Sequence, residues 1–122
     1  MNKKILVVDD NEQDRKIITR VLSKAGFKDI ITAERGEEGV EAAEKEKPEL
    51  IVLDTVLPGI DGFETCRRIR KSQGPKTTKI IVTTGAIDAV DAGKARAAGA
   101  DDYVVKTSDF AHLAKAVKSL LK

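Results

Sequence analysis

Short apolar runs alternate along the chain with longer stretches in which apolar residues recur every three or four positions. Runs without polar alternation predict strands buried on both faces, and the periodic stretches predict amphipathic helices. The predicted strands are 5–8, 29–33, 50–53, 79–83 and 102–105. The predicted helices are 12–25, 37–47, a segment that carries Phe63, Cys66 and Ile69 on one face, 88–98, and 109–121 with Ser108 or Asp109 as its N-cap.

Five strands that alternate with five helices indicate a parallel sheet covered by helices on both faces. Right-handed crossovers and short connections leave few topologies open. We therefore expect an α/β, doubly wound (βα)5 flavodoxin-like fold with a parallel five-stranded sheet in the order 2-1-3-4-5. The pattern contains no linker and no internal repeat, so residues 1–122 are predicted to form one domain with nothing left over for an output domain.

Composition places the chain among ordinary globular proteins, with 41% hydrophobic and 34% charged residues. A net charge of only +2 gives no global field that would favour direct binding of nucleic acid. The single cysteine, Cys66, suits a reducing compartment and is expected to be buried. No apolar run is long enough for a signal peptide or a bilayer span, so we expect a cytoplasmic protein without membrane insertion.

Polar residues follow the predicted strands at the end where such sheets bind ligands. Asp9 and Asp10 follow strand one, and Asp54 follows strand three. Thr84 follows strand four and Lys106 follows strand five. Because the carboxyl ends of these strands are neighbours in the predicted order, we expect the five side chains to lie close together.

Three carboxylates at one edge would repel one another, by roughly 4 kcal/mol for a pair about 4 Å apart at an effective dielectric constant of about 20. A divalent cation would offset this repulsion, and the all-oxygen ligand set favours Mg²⁺, with Mn²⁺ or Ca²⁺ possible. Asp54 would then be the nucleophile of a phosphoryl-transfer site, with Asp9 and Asp10 as metal ligands. Lys106 and Thr84 would stabilise the transferred group.

Each of these residues also has a plainer interpretation. Asp9 taken alone is more often a cap, and Lys106 alone is usually a solvated lysine. Thr83 is expected to face away from Thr84, because strand side chains alternate. The combination at adjacent strand ends, more than any single residue, predicts the site.

The segments 5–11, 53–64, 82–84 and 103–106 resemble the motifs of the receiver domain of bacterial response regulators. The resemblance covers essentially the whole chain. It implies that Asp54 accepts phosphate from a phosphohistidine on a sensor histidine kinase or a histidine phosphotransfer protein. It also implies that Asp10 and Asp54 ligate Mg²⁺, with Asp9 close by and the backbone carbonyl of Val56 as a further ligand.

The same resemblance implies how the phosphorylated state is transmitted. Thr84 would hydrogen-bond the phosphoryl group and move toward it, and Tyr103 would change rotamer in response. Pro58 and Gly62 would shape the loop after Asp54. The surface of helix four, strand five and helix five would contact a downstream protein. The domain would accept phosphate on itself and lose it slowly, without being a turnover enzyme.

Three departures from the family pattern qualify these expectations. Thr107 stands where the family usually has a proline, commonly in a cis peptide, and a trans bond is expected because a cis bond without proline costs about 3 kcal/mol. Gly85 and Gly93 add backbone freedom around helix four. Val56 and Ala86 are apolar at two positions that influence phosphate lifetime, which predicts slow self-hydrolysis.

Three other functions compete with this interpretation. A hydrolase of the haloacid dehalogenase type would need a second aspartate where the chain has Val56. A flavodoxin-like electron carrier would place its phosphate loop after strand one, whereas Gly85 follows strand four, and the chain has no tryptophan and one tyrosine for flavin stacking. The presence of Asp10, Asp54, Thr84 and Lys106 argues against a phosphorylation-independent adapter of the same fold. This alternative stays open because Thr107 replaces the usual proline.

Overall fold

The computed structural model describes residues 3–73, 78–85, 89–107 and 109–121. Its strands are β1 (Lys4–Val8), β2 (Asp29–Ala33), β3 (Leu50–Asp54), β4 (Lys79–Thr84) and β5 (Asp102–Val105). Its helices are α1 (Glu12–Lys24), α2 (Gly36–Glu46), α3 (Gly62–Gln73), α4 (Ala89–Ala98) and α5 (Leu113–Leu120). Strand and helix alternate throughout, as the hydrophobic pattern predicts.

The sheet is parallel and has the order β2-β1-β3-β4-β5, which confirms the predicted topology. In its register, Val8 lies beside Leu53, and Asp54 lies beside Thr83. Parallel pairing brings the carboxyl ends of β1, β3, β4 and β5 to one edge of the sheet. The polar residues that follow these strands are therefore neighbours in space, as expected for a doubly wound sheet.

Alternation along the strands divides the core between the two faces of the sheet. On β3, Ile51 and Leu53 pack with residues of α2, α3 and α4, while Leu50 and Val52 pack with residues of α1 and α5. Cys66 belongs to the first group and is fully buried, as predicted. The three central strands β1, β3 and β4 are buried on both faces along most of their length, which explains why they appear in the sequence as unbroken apolar runs.

Helix α5 begins at Leu113, so the predicted start at residue 109 is wrong. Phe110 is buried and has a left-handed backbone with φ of 51°, which interrupts a helix. The Ala111 N–H lies 3.2 Å from both Thr107 Oγ1 and Asp109 Oδ1, so these side chains stabilise a turn ahead of the helix. Asp109 is therefore not the N-cap, and Ser108 lies outside the described residues.

The remaining boundaries differ from prediction by about one residue. Helix α2 is Gly36–Glu46, and Lys47 ends it in a left-handed conformation with φ of 47°. Residue 88, the predicted start of α4, lies outside the described residues. All peptide bonds in the described ranges are trans, including the one after Lys106, as expected. Within those ranges, no helix has the length and apolar character needed to cross a membrane.

Candidate acidic site at the carboxyl edge of the sheet

The three predicted carboxylates lie together at the carboxyl edge of the sheet. Asp9, Asp10 and Asp54 each offer an oxygen that lies within 4.8 Å of the others. Asp9 and Asp54 are buried, with 1% and 6% of their surfaces exposed, whereas Asp10 is exposed. The cluster therefore has two buried carboxylates and one that faces solvent.

Local hydrogen bonds fix Asp9 at the end of β1. Its backbone N–H continues the sheet by donating to the Ala33 carbonyl at 3.1 Å, and its Oδ1 accepts from the Asn11 N–H at 2.9 Å. Its carbonyl accepts a 2.8 Å hydrogen bond from Arg15 Nη1. One side-chain oxygen of Asp9 is thus used to hold the turn, and the other, Oδ2, points into the cluster.

The loop after Asp54 depends on a glycine. The Gly62 N–H donates to the Thr55 carbonyl at 2.9 Å, and a Cβ at position 62 would lie 2.0 Å from the carbonyl oxygen of Asp54. Only glycine allows this approach, which fits the predicted loop-shaping role of Gly62. The backbone then places Val56 beside Asp54, with its N–H 3.4 Å from Asp54 Oδ1 and its side chain 76% exposed.

Lys106 reaches into the cluster from the end of β5. Its Nζ lies 3.0 Å from Asp9 Oδ2 and 3.2 Å from Asp54 Oδ2 as ion pairs. It also donates a 2.8 Å hydrogen bond to Asp14 Oδ2. Its backbone N–H donates to the Thr84 carbonyl, which extends the strand pairing past β5. The Lys106 side chain therefore reaches Asp54 although Thr107 follows it.

Burial and like charge act together on Asp54. Burial of the carboxylate, followed by the charge of Asp9, raises the pKa of Asp54 to about 6, and the contact with Lys106 offsets only part of this. Burial alone would lower the pKa of Lys106. The hydrogen bond to Asp14 and the contacts with Asp9 and Asp54 outweigh burial and raise that pKa. At neutral pH the site thus holds an ionised Asp54 and a charged lysine.

A divalent cation suits this donor set. Asp9 Oδ2 is buried and has no aligned hydrogen-bond partner among the described residues, because Lys106 meets it as an ion pair without hydrogen-bond geometry. One lysine faces several carboxylates, so the cluster keeps an excess of negative charge. Oxygen-only ligands of this kind fit Mg²⁺, and Asp9, Asp10 and Asp54 are the residues that would hold it.

Two further predicted residues lie on the neighbouring strands. Thr84 is buried at the end of β4, one position beyond the Thr83 that pairs with Asp54. Tyr103 is half-buried on β5 and packs against the core on the α2–α4 side. Their roles in the switch stay predictions. Ala86, predicted to affect phosphate lifetime, lies outside the described residues.

Sequence reasoning missed two residues at the site, Asp14 and Arg15. Both lie in the first turns of α1, which begins directly after the acidic pair because Asn11 caps it and accepts from the Asp14 N–H at 2.9 Å. The short link is the signal that could have identified them. Because α1 starts only three residues after Asp9, its first turn lies close to the end of β1.

Comparisons with known proteins agree on one family. A family model described as the response regulator receiver domain matches residues 5–118. The alkaline phosphatase synthesis transcriptional regulatory protein PhoP of Bacillus subtilis is 40% identical over 122 residues, which cover all of this chain and 50% of that protein. Protein PilH of Pseudomonas aeruginosa is 32% identical over 118 residues, or 97% of each chain.

A solved structure agrees as well. The BeF3-activated N-terminal receiver domain of Klebsiella pneumoniae RstA has a TM-score of 0.86 and 30% identity, and the match covers 98% of each chain. The chain spans about half the length of the first curated relatives it matches.

Proposed function

Because the chain belongs to the response regulator receiver family, we propose that Asp54 accepts a phosphoryl group in a Mg²⁺-dependent reaction. The donor would be a phosphohistidine on a sensor histidine kinase or a histidine phosphotransfer protein. The observation that carries this proposal is the cluster itself, in which the Asp9, Asp10 and Asp54 oxygens lie within 4.8 Å of one another beside Lys106. The single cysteine of the sequence fits a cytoplasmic location for this exchange.

The chemistry requires little of the protein beyond positioning and charge. An Asp54 oxygen forms the bond to phosphorus as the bond to the donor imidazole breaks, and the electron pair of that bond stays on the imidazole nitrogen. Asp54 needs no general base, because a group with a pKa of about 6 is mostly ionised at neutral pH. Lys106 stabilises the phosphoryl oxygens. Bound Mg²⁺, held with the Val56 carbonyl as a further ligand, would offset the negative charge of the carboxylates and the phosphoryl group.

The domain would be a switch rather than a turnover enzyme. Hydrolysis of the phosphorylated Asp54 needs an oriented water molecule, and the exposed Val56 side chain has no polar group with which to orient one. We therefore propose slow self-dephosphorylation. A phosphorylation-independent adapter is not favoured, because Lys106 and the three carboxylates form an assembled cluster.

The output would pass through protein contacts on the surface of α4, β5 and α5. Thr84 and Tyr103 would couple that surface to the phosphoryl group. Tyr103 lines a groove of 570 Å³ between β5 and α5, together with His112 and Lys115. A groove of this kind suits a downstream protein, and we propose no direct contact between this domain and nucleic acid.

Intact-mass spectrometry with acetyl phosphate and MgCl₂ tests the proposal. The wild-type protein should gain the mass of one phosphoryl group, and Asp54→Asn should gain none. Chelation of the metal should also abolish the gain. After removal of the donor, the adduct should decay slowly. An unmodified wild type, or an adduct that survives Asp54→Asn, would disprove the assignment, and rapid decay would disprove slow self-dephosphorylation.

A further inference from the structure

Among the described residues, Asp14 makes the shortest side-chain contact of the Lys106 ammonium. The bond from Nζ to Asp14 Oδ2 is 2.8 Å long and joins residues 92 positions apart in the sequence. Both side chains are mostly shielded from water, with 26% of Asp14 and 18% of Lys106 exposed. The shielding strengthens the interaction relative to a fully solvated pair.

The contacts of Lys106 with the other two carboxylates are longer. Nζ lies 3.0 Å from Asp9 Oδ2 and 3.2 Å from Asp54 Oδ2, against 2.8 Å from Asp14 Oδ2. The shortest contact of the ammonium is therefore with Asp14, and its contact with the phosphate-accepting carboxylate is 0.4 Å longer.

The position of Asp14 is fixed by the start of α1. Its backbone N–H donates to the Asn11 cap at 2.9 Å, so the carboxylate stands on the first turn of the helix. That carboxylate contacts the ammonium of Lys106, the residue after β5. Lys106 thus contacts both a carboxylate that would be phosphorylated and one that would not.

We propose that Asp14 is a positioning residue that restrains the Lys106 ammonium and so limits how readily Asp54 is phosphorylated. This inference rests on the proposed function. When a phosphoryl group arrives at Asp54, its oxygens and the Asp14 carboxylate compete for the same ammonium protons. The Asp14 charge also repels the incoming phosphoryl oxygens. Both effects oppose phosphorylation, and both disappear when the Asp14 charge is removed.

The test compares Asp14→Asn with Glu12→Gln at saturating Mg²⁺. Both substitutions remove one negative charge from the first turn of α1, but Glu12 is exposed, and the ion pair it makes among the described residues is with Lys16, at 3.9 Å. The rate of adduct formation with acetyl phosphate should rise roughly three- to tenfold in Asp14→Asn, as expected for loss of one partly exposed hydrogen bond of ordinary net strength, and stay at the wild-type value in Glu12→Gln. A rate in Asp14→Asn equal to or below that of Glu12→Gln would overturn the inference.

A second variant and a second measurement separate restraint from a general structural effect. Asp14→Glu keeps the charge and should stay close to the wild-type rate, and a rate as high as that of Asp14→Asn would contradict the proposal. Without a phosphodonor, the ¹⁵N NMR signal of the Lys106 ammonium should shift in Asp14→Asn and not in Glu12→Gln. An unchanged signal in Asp14→Asn would also contradict it.

The failures are distinguishable. If the wild type forms no adduct on Asp54, the proposed function fails and the inference fails with it. If the wild type forms the adduct but Asp14→Asn is no faster, only the inference fails.

Discussion

At the scale of single residues, Asp54 combines a destabilising environment with the reactivity expected of a nucleophile. It is buried beside Asp9, and its pKa of about 6 lies well above the ordinary value of 3.8. A carboxyl group whose pKa is raised by folding contributes its full stabilisation at pH values below its pKa in the unfolded chain. That contribution is lost as the pH rises through the pKa of the group in the folded protein. At neutral pH the ionised Asp54 therefore lowers the free energy of unfolding.

Asp54→Asn should stabilise the metal-free protein at neutral pH, because asparagine cannot ionise. In urea unfolding at about pH 7.5 we expect the variant to be more stable by about 2 kcal/mol, and by less than half of that at about pH 4.5, where Asp54 is protonated in the folded state.

Asp102→Asn is the matched control, because Asp102 is an exposed carboxylate outside the cluster. Its effect should stay within about 0.5 kcal/mol at both pH values. An Asp54→Asn protein that is less stable than the wild type near pH 7.5 would contradict this account of the site.

At the scale of elements, sequence pattern predicts what local interactions determine. The five strands are accurate to about a residue, and the three central ones are the clearest because strands buried on both faces appear as unbroken apolar runs. The start of α5 was not predictable in this way. The left-handed Phe110 is held by burial in the core, which is a tertiary effect that no local pattern reports.

The residues of the site also fall into those that sequence pattern predicts and those that depend on tertiary structure. The strand-end residues Asp9, Asp54 and Lys106 follow from topology, because parallel strands bring their carboxyl ends together. The contact between Lys106 and Asp14 depends on where one helical turn points, and the two residues are 92 positions apart. Such a contact requires coordinates.

A second long-range anchor joins four elements at the opposite edge of the sheet. The Arg70 guanidinium on α3 donates to the Gly99 carbonyl at 2.7 Å, to the Thr78 carbonyl, and to Asp101 Oδ2 at 2.6 Å. The same Asp101 oxygen accepts from the Ile80 N–H at 2.8 Å. Arg70 therefore ties α3 to the end of α4 and to the starts of β4 and β5.

Arg70→Ala should destabilise the fold without affecting phosphorylation. The loss leaves two backbone carbonyls and the Asp101 carboxylate without this donor, and we expect a cost of about 2–3 kcal/mol in the free energy of unfolding. Urea denaturation measures the cost. The adduct on Asp54 should form at the wild-type rate under conditions in which the variant is folded.

Arg68→Ala is the control on the same helix. Arg68 is half exposed and pairs with Glu64 at 2.9 Å, so its loss should cost less than about 0.5 kcal/mol. Equal costs for Arg68→Ala and Arg70→Ala would show that Arg70 is not an anchor.

At the scale of the whole molecule, the two edges of the sheet differ in how their polar groups are paired. At the amino edge, the Arg70 guanidinium holds the Gly99 carbonyl and the Asp101 carboxylate through direct hydrogen bonds. The carboxyl edge gathers acidic groups around one lysine and keeps a buried Asp9 oxygen without an aligned partner among the described residues. The carboxyl edge thus carries an excess of negative charge that a bound cation would neutralise.

Binding of Mg²⁺ at the carboxyl edge should therefore stabilise the entire fold, because a ligand that binds only the folded state raises its stability by mass action. With millimolar MgCl₂ we expect the midpoint of thermal unfolding to rise by roughly 2–6 °C above its value in NaCl of equal ionic strength. Asp10→Asn removes one proposed ligand and should lose most of this rise. Glu12→Gln removes a nearby charge that lies outside the cluster and should keep it. Equal rises in the two variants, or in the two salts, would mean that the stabilisation is general screening of charge rather than binding at the Asp9, Asp10 and Asp54 cluster.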